Sequence, residues 1–327
     1  MGLRRKNQLI IGEVWMGRLV MGKWEEGSII RSDKKGRYDR PVRTFRETIA
    51  SSHAIFKPES GRYHLYVSYA CPWAHRCLIF RSLKSLDDHI SYDVVHPDML
   101  SKGWSFKQDL EEYGSTGDRL NDAEYLYQVY QKADPEVTTS VTVPVLWDKK
   151  TKTIINNESS EIIRIFNSAF NEMTGNNIDY YPEELRKEVD HWNERVYESV
   201  NNGVYKCGFA KTQEAYDEAV TKLFTTLDQI ESHLEGRKYL VDDQLTEADL
   251  RLLPTLLRFD PVYYVHFKCS QQKISEYKNL SRYLKGLLEI DAVASTTHLK
   301  HIKRHYFYSH ASINPHQIIA TGPKYMW

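Results

Sequence analysis

The 327-residue sequence has no excess of charge of either sign, because 44 Lys and Arg residues balance 44 Asp and Glu residues. It therefore lacks the basic field that attracts nucleic acid or anionic lipid. It also lacks an apolar run approaching the ~18 residues that a membrane-spanning helix needs. We expect a soluble globular protein of about two domains that binds neither nucleic acid nor membrane.

Cysteine is also scarce, with four residues at Cys71, Cys77, Cys207 and Cys269. They are too few and too scattered for a disulfide framework in a chain of this length. Cys207 and Cys269 have no partner at the spacing of a metal site. Because the N-terminal segment also lacks the pattern of a signal peptide, we expect reduced thiols and a cytoplasmic protein.

The first part of the chain predicts an arm followed by a strand, a helix and a strand. Residues 1–60 are charged, rich in Gly and Arg and without clear periodicity, so we expect an N-terminal arm that is mostly coil. Tyr63–Tyr69 has the composition of a β-strand, and Pro72 opens an apolar segment at helical spacing. Ile90–Val95 predicts a second strand, parallel to the first through a right-handed crossover.

The next segments predict an insertion and the rest of the same domain. Residues 97–140 are polar and rich in turn residues. Val141–Trp147 and Thr153–Ile155 predict two strands, and a helix follows from about Ser159 to Phe170. The order β-α-β, insertion, β-β-α is that of a thioredoxin-like domain, which we place at residues 61–170.

Strand patterns nearly vanish after residues 171–182, which have the composition of a linker. Helical periodicity follows in four segments of residues 183–327, which are Glu183–Asn202, Thr212–Leu234, Thr246–Leu257 and Ser275–Leu288. Thr246 and Asp249 have the spacing of a capping box. The predicted fold class is thus α/β plus all-α, a thioredoxin-like domain followed by an all-helical domain with a C-terminal tail.

Cys71 is the strongest candidate for chemistry, because it lies between a predicted strand and a helix that begins at Pro72. The helix dipole and free N–H groups at such a position favour the thiolate, with pKa values of roughly 3.5–7.5. Ala74 occupies the position of a second cysteine, so a disulfide at Cys71 needs an external thiol to resolve it. The alternative is a buried core cysteine, which is how we interpret Cys77.

Pro144 interrupts the predicted strand after Val143, a position tolerated only at edges, bulges or special turns. One interpretation is an edge strand with a trans peptide bond. The other is a cis bond, which in thioredoxin-like folds exposes the backbone of the preceding residue beside the reactive sulfur.

Asn157-Glu158-Ser159-Ser160 precedes a helix, so helix capping alone explains the Glu and Ser residues. A helix N-terminus also binds a carboxylate through its N–H groups, and a neighbouring acid pairs with an ammonium group. Together these features fit the α-amino-acid end of a γ-glutamyl peptide.

In this order the elements resemble the glutathione transferase superfamily and, more closely, its Xi class, the glutathionyl-hydroquinone reductases. The similarity runs from about residue 16 to the C-terminus. The matching stretches are Tyr69–Arg76, Gly103-Trp104, Thr142–Asp148, Asn157–Ser159, Asn202–Lys206, Phe259–Tyr263, His305-Tyr306, Ser309-His310, Ile313–Pro315 and Gly322-Pro323.

The resemblance implies that Cys71 becomes glutathionylated and that the protein releases oxidised glutathione while it reduces glutathionyl-hydroquinones. It implies glutathione as co-substrate, no metal, and a homodimer. The residues implied to hold glutathione are Trp104, Arg119, Val143, Glu158 and Ser159. Those implied to line the hydroquinone site are Tyr205, Tyr263 and Tyr306, with Tyr308 as a competitor of Tyr306. Residues 1–15 precede the usual start of the family, so they are expected to be either an upstream extension or a remnant of cloning.

Three other interpretations remain open. An Omega-like thioltransferase or dehydroascorbate reductase shares the Cys-Pro turn, and a non-catalytic scaffold of the same fold predicts an ordinary cysteine pKa. A zinc site built from His301, His305 and His310 competes with a simpler interpretation, in which the His301–His305 spacing belongs to a solvated basic helix face.

Overall fold

The computed structural model describes residues 17–27, 31–39 and 43–323. Their strands are β1 (Arg18–Val20), β2 (Lys23–Glu25), β3 (Arg31–Ser32), β4 (Tyr38–Asp39), β5 (Tyr63–Val67), β6 (Ser91–Val94), β7 (Met99–Leu100), β8 (Gly103–Trp104), β9 (Thr139–Ser140), β10 (Val145–Asp148) and β11 (Thr153–Asn156). The central sheet has the order β11-β10-β5-β6. β10 is antiparallel to both of its neighbours, whereas β5 and β6 are parallel.

The described helices are α1 (Pro72–Leu83), α2 (Leu126–Ala133), α3 (Ser159–Ser168), α4 (Asn171–Thr174), α5 (Arg186–Val196), α6 (Gly203–Gly208), α7 (Gln213–His233), α8 (Glu247–Arg258), α9 (Tyr264–His266), α10 (Lys278–Leu288), α11 (Asp291–Ala294) and α12 (Leu299–Ser309). π-Helical turns extend α5 over Tyr197–Asn201 and α8 over Phe259–Tyr263. In the part of the chain that the structure describes, no helix has the length and apolarity needed to span a membrane.

The predicted fold class is confirmed, since a small sheet with α1 and α3 is followed by helices alone. The four long helical segments that the periodicity predicted are found as α5, α7, α8 and α10. The capping box is also present: the Asp249 carboxylate accepts the backbone N–H of Thr246 at 2.8 Å and its hydroxyl at 3.0 Å. Helix α1 packs against α3 and against α8, which joins the two halves of the protein.

The arm is more ordered than its composition predicted. Within the described residues it contains two short hairpins, β1-β2 and β3-β4, where we expected mostly coil. β1 also pairs with β9, so the insertion supplies a partner from outside the arm. Pairing of this kind depends on contacts more than a hundred residues away in the chain, which local composition does not encode.

Candidate functional site

Cys71 lies where β5 is followed by α1, and its half-buried thiol is at the N-terminus of that helix. Cys71 is the N-cap residue and Pro72 occupies the first helical position, where a missing N–H removes no helical hydrogen bond. Cys77, on the same helix, is fully buried, and burial raises the pKa of its thiol. The interpretation of Cys77 as a core cysteine is therefore confirmed, whereas Cys71 is only partly buried.

The backbone before β10 lies directly beside Cys71. The Val143–Pro144 peptide bond is cis, one of the two interpretations that the sequence left open. The Cys71 sulfur is 3.5 Å from the carbonyl oxygen of Val143. An extended peptide that paired with the backbone of this segment would therefore lie next to the sulfur.

Glu158 and Ser159 lie at the N-terminus of α3, and a buried arginine from α1 holds them. Glu158 is the N-cap residue, and its carboxylate accepts the N–H of Ser160 at 3.1 Å. Arg76 donates to the Ser159 hydroxyl from Nε at 3.0 Å and from Nη2 at 2.6 Å. The same Nη2 is 3.7 Å from the Glu158 carboxylate. A capping role and a ligand-binding role are therefore compatible at this helix end.

Glu158 is kept ionised by two arginines that the sequence analysis did not select. Burial alone pushes the pKa of Glu158 upward, but Arg76, the backbone N–H of Ser160 and Arg43 together lower it. Arg76 is 2% exposed although it lies within an apolar helix. A charged residue among the apolar positions of α1 was the available signal, since buried charges require partners.

Trp104 is buried and stacks on His305 of α12, with ring centroids 4.7 Å apart. His305 Nδ1 contacts the Pro97 carbonyl at 2.8 Å, and His301 Nδ1 contacts the Tyr113 carbonyl at 2.9 Å. His301 Nε2 lies 3.2 Å from the Ser68 hydroxyl, three residues before Cys71. Helix α12 thus packs the insertion against the strand that leads to the thiol.

The interpretation of His301 and His305 as part of a solvated basic face is wrong, because both side chains are buried. His310 contacts His266 through ring nitrogens 3.0 Å apart instead of completing a set with the other two. Within the described ranges no group of three or more His, Cys, Asp or Glu side chains is arranged to hold a metal ion.

Three tyrosines of the helical half meet through their hydroxyls. Tyr306 is 2.6 Å from Tyr205 and 3.0 Å from Tyr263, oxygen to oxygen. Burial raises the pKa values of Tyr263 and Tyr306 well above their ordinary range, so both remain protonated hydrogen-bond donors. Tyr308 lies elsewhere, with its ring 3.5 Å from the guanidinium of Arg304. We call Tyr205, Tyr263 and Tyr306 the tyrosine cluster.

The N-terminal arm also reaches this cluster, which the sequence analysis missed. The ring of Tyr38, in β4, is stacked with Tyr205 at a centroid distance of 6.4 Å. It also contacts Phe209 at 6.0 Å. The arm has five aromatic residues, and the local sequence does not distinguish Tyr38 from the other four.

The structure does not bring Arg119 to the other residues implied to hold glutathione. Its Nε is 2.5 Å from the carboxylate of Asp93 in β6, and its Nη2 donates to the Tyr92 carbonyl at 2.7 Å. β6 is at the sheet edge opposite β11, which leads to Glu158. Most of the Arg119 side chain is exposed, so its described role is to satisfy the buried Asp93.

The arrangement suits thiol chemistry on a bound peptide next to an aromatic group. A thiol at a helix N-terminus lies beside the backbone of Val143, and an acid caps a second helix N-terminus. Together these groups match a small peptide thiol. The tyrosine cluster offers protonated hydroxyls to an oxygen on which negative charge develops.

Two family models match the chain, the N-terminal domain of glutathione S-transferase over residues 70–169 and the C-terminal domain over residues 213–286. The chain is 51% identical to glutathionyl-hydroquinone reductase PcpF of Sphingobium chlorophenolicum, over 94% of this chain and 96% of that protein. It is 49% identical to glutathione S-transferase omega-like 2 of Schizosaccharomyces pombe, over 89% of this chain and 95% of that protein.

The fold is similar to that of the glutathione-bound Escherichia coli YqjG, with a TM-score of 0.87 and 47% identity. That comparison covers 95% of this chain and 96% of the other. It is also similar to the Xi glutathione transferase of Phanerochaete chrysosporium, with a TM-score of 0.86, 49% identity and coverage of 90% and 95% of the two chains. The chain therefore belongs to the glutathione transferase superfamily and, within it, to the Xi class with the glutathionyl-hydroquinone reductases.

Proposed function

We propose that this protein reduces glutathionyl-hydroquinones to hydroquinones, with Cys71 as the nucleophile and glutathione as the second substrate. The observation that carries the proposal is the half-buried Cys71 thiol at a helix N-terminus, 3.5 Å from the Val143 carbonyl. It occurs in a chain about half identical to a glutathionyl-hydroquinone reductase. Ala74 removes the option of an internal second thiol.

In the first step the Cys71 thiolate attacks the sulfur of the glutathionyl group. A sulfur–sulfur bond forms and the bond between sulfur and the aromatic carbon breaks. The ring carbon that carries the sulfur is protonated before this attack, when the hydroquinone passes to its keto tautomer and one hydroxyl loses its proton. The electron pair of the broken bond then forms an enolate whose charge is on a ring oxygen, and that oxygen takes up a proton to give the hydroquinone. Hydroxyls of the tyrosine cluster donate hydrogen bonds to a ring oxygen as this charge builds.

In the second step the thiolate of a free glutathione attacks the mixed disulfide at Cys71. Oxidised glutathione leaves and the Cys71 thiolate is restored. The proton lost by this glutathione balances the proton taken up by the ring oxygen. One thioether sulfur and one thiol are thus oxidised to a disulfide, while the ring carbon exchanges its bond to sulfur for a bond to hydrogen and is reduced.

Four other residues support a glutathione site beside Cys71. The Val143 backbone would pair with the tripeptide backbone, and Glu158 would pair with the α-ammonium group of the γ-glutamyl end. Ser159 and the N–H groups of α3 would bind its carboxylate, and Trp104 would close the site from the insertion. We leave Arg119 out of this set because Asp93 engages its guanidinium.

The first prediction concerns the covalent intermediate. Treatment with a glutathionyl-hydroquinone and no free glutathione should leave one glutathionyl group on the peptide that contains Cys71, read by peptide mass spectrometry. Cys77→Ala should keep this adduct, because Cys77 is fully buried, whereas Cys71→Ser should lose it. An adduct on another cysteine, or none, would refute the assignment.

A second candidate function is that of an Omega-like thioltransferase or dehydroascorbate reductase. The relative from Schizosaccharomyces pombe that carries an omega-like name favours it. A competition assay with a glutathionyl-hydroquinone and dehydroascorbate separates the two. Preference for dehydroascorbate would overturn the proposed function while leaving Cys71 as the nucleophile.

The second prediction concerns Glu158. Glu158→Gln removes the charge proposed to pair with the glutathione ammonium group, and charge-assisted hydrogen bonds contribute about 1.5–3 kcal/mol, so KM for glutathione should rise about tenfold or more. Glu161→Gln is the matched control, since Glu161 is in the first turn of the same helix but pairs with Arg46. Steady-state kinetics with glutathione as the varied substrate measures both. An equal KM in the two variants contradicts the role of Glu158.

The third prediction concerns the tyrosine cluster. Tyr306→Phe removes a buried hydroxyl that bridges two others, and kcat should fall about tenfold or more because a donor to developing charge is lost or misplaced. Tyr308→Phe, on the same helix but outside the cluster, should keep wild-type kcat. If the two variants have the same kcat, the cluster does not assist departure of the hydroquinone.

We also propose a homodimer located in the cytoplasm. The support is the similarity to the Xi class for the dimer, and four cysteines without a disulfide pattern for the reducing compartment. Sedimentation velocity should give twice the mass of one chain, and a monomer at micromolar concentration would reject the dimer.

A further inference from the structure

Arg258 is the last residue of α8, and its side chain is fully buried where the helical half meets the thioredoxin-like half. Its Nε donates to the carbonyl of Ala70 at 2.9 Å, and its Nη2 donates to the carbonyl of Tyr69 at 2.8 Å. These are the two residues immediately before Cys71. A guanidinium from the second half of the chain thus holds the turn that presents the thiol.

The remaining partners of Arg258 are also uncharged. Its Nη1 donates to the Pro254 carbonyl at 2.8 Å and lies 3.2 Å from Nδ1 of His75. Burial, followed by the charge of Arg258, lowers the pKa of His75 well below its ordinary range, so this imidazole is neutral. Throughout the described ranges, no carboxylate lies within 4.0 Å of the guanidinium of Arg258.

The other buried arginines nearby differ in this respect. Arg76 is 3.7 Å from the carboxylate of Glu158, and Arg251, two turns earlier on α8, is 2.9 Å from that of Glu247. A buried charge without a counter-ion is costly unless hydrogen bonds and a functional anion compensate for it. Arg258 makes hydrogen bonds to three backbone carbonyls. Its position also places it near groups that become anionic during the proposed reaction.

The reacting groups lie on both sides of Arg258. On one side, Arg258 Nε donates to the carbonyl of Ala70, the residue directly before Cys71. On the other side, the π-helical turn that begins directly after Arg258 ends at Tyr263. The pKa values of Tyr263 and Tyr306 are raised mainly by burial, and the charge of Arg258 opposes that rise at both hydroxyls. One positive charge therefore acts on the tyrosine cluster and lies next to the turn of the thiol.

We propose that Arg258 is a positioning residue that fixes the Tyr69-Ala70 turn and supplies the buried positive charge favouring the Cys71 thiolate. The same charge favours the negative charge that develops on a ring oxygen of the departing hydroquinone near the tyrosine cluster. This second effect rests on the proposed function. Arg258 needs no contact with either substrate, because it acts through the backbone of the turn and through its charge. The fork of a guanidinium suits the paired carbonyls, which a lysine ammonium cannot hold in the same way.

The neighbouring histidines and Cys77 carry no negative charge that would offset the charge of Arg258. Burial lowers the pKa values of His75, His298 and His301, so these three are neutral near pH 7. Burial raises the pKa of Cys77, which therefore stays a thiol. From α3, Glu158 faces Arg76, and the two charges offset each other.

The test is the pH dependence of Cys71 alkylation by iodoacetamide, followed on the Cys71 peptide by mass spectrometry. In Arg258→Gln the pH midpoint of Cys71 alkylation should rise by about one pH unit or more. At a pH below the midpoint this is a tenfold loss of thiolate. Arg251→Gln removes a buried charge that is already paired, and its midpoint should stay at the wild-type value. A folded Arg258→Gln protein with the wild-type midpoint overturns the proposal.

Arg258→Lys keeps the charge and carries the test if Arg258→Gln does not fold. Its midpoint should remain at the wild-type value, while oxidised glutathione should form the mixed disulfide at Cys71 at least about threefold more slowly, because the fork is lost. A raised midpoint or a wild-type rate overturns the proposal. Neither measurement uses a glutathionyl-hydroquinone, so failure of the proposed function would not change these results.

Discussion

The position of one sulfur at the N-terminus of α1 is the constraint on which the rest of the structure depends. A thiol at this place is favoured as an anion only while the helix end stays oriented and partly shielded from water. Cys71 is therefore surrounded by contacts from distant parts of the chain. The Val143 carbonyl approaches from the strand side, His301 contacts Ser68 from α12, and Arg258 holds the preceding turn from α8.

The central role of buried arginines follows from this constraint. A turn that ends a strand and begins a helix leaves carbonyls without helical partners, and buried carbonyls need donors. Arg258 donates to two of them. Arg76 does the equivalent at α3, where it fixes the Ser159 hydroxyl and keeps Glu158 ionised. Both ends of the proposed tripeptide site are thus oriented by guanidinium groups that lie below its surface.

The sequence predicted the elements that are encoded locally. The Cys71-Pro72 junction, the Thr246 capping box and the long periodic helices depend on neighbouring residues, and all are present. It did not predict α6, which packs against α7, or the burial of His301 and His305, which depends on contacts with the insertion. Arg119 illustrates the same limit: its partner Asp93 is 26 residues away, and only the folded sheet edge brings them together.

The proposed reaction has two chemical requirements, and the residues proposed to meet them lie in different halves of the molecule. The residues proposed to carry exchange between a thiolate and a glutathione sulfur, Cys71, Val143 and Glu158, all lie in the sheet domain. Breaking a bond between sulfur and an aromatic carbon also needs a place for the charge that moves into the ring, and the place proposed for it is on helices, among Tyr205, Tyr263 and Tyr306. The proposed reaction therefore uses both halves, which must be held in fixed relation. Arg258, which belongs to one half and donates to the other, makes that relation part of the site itself.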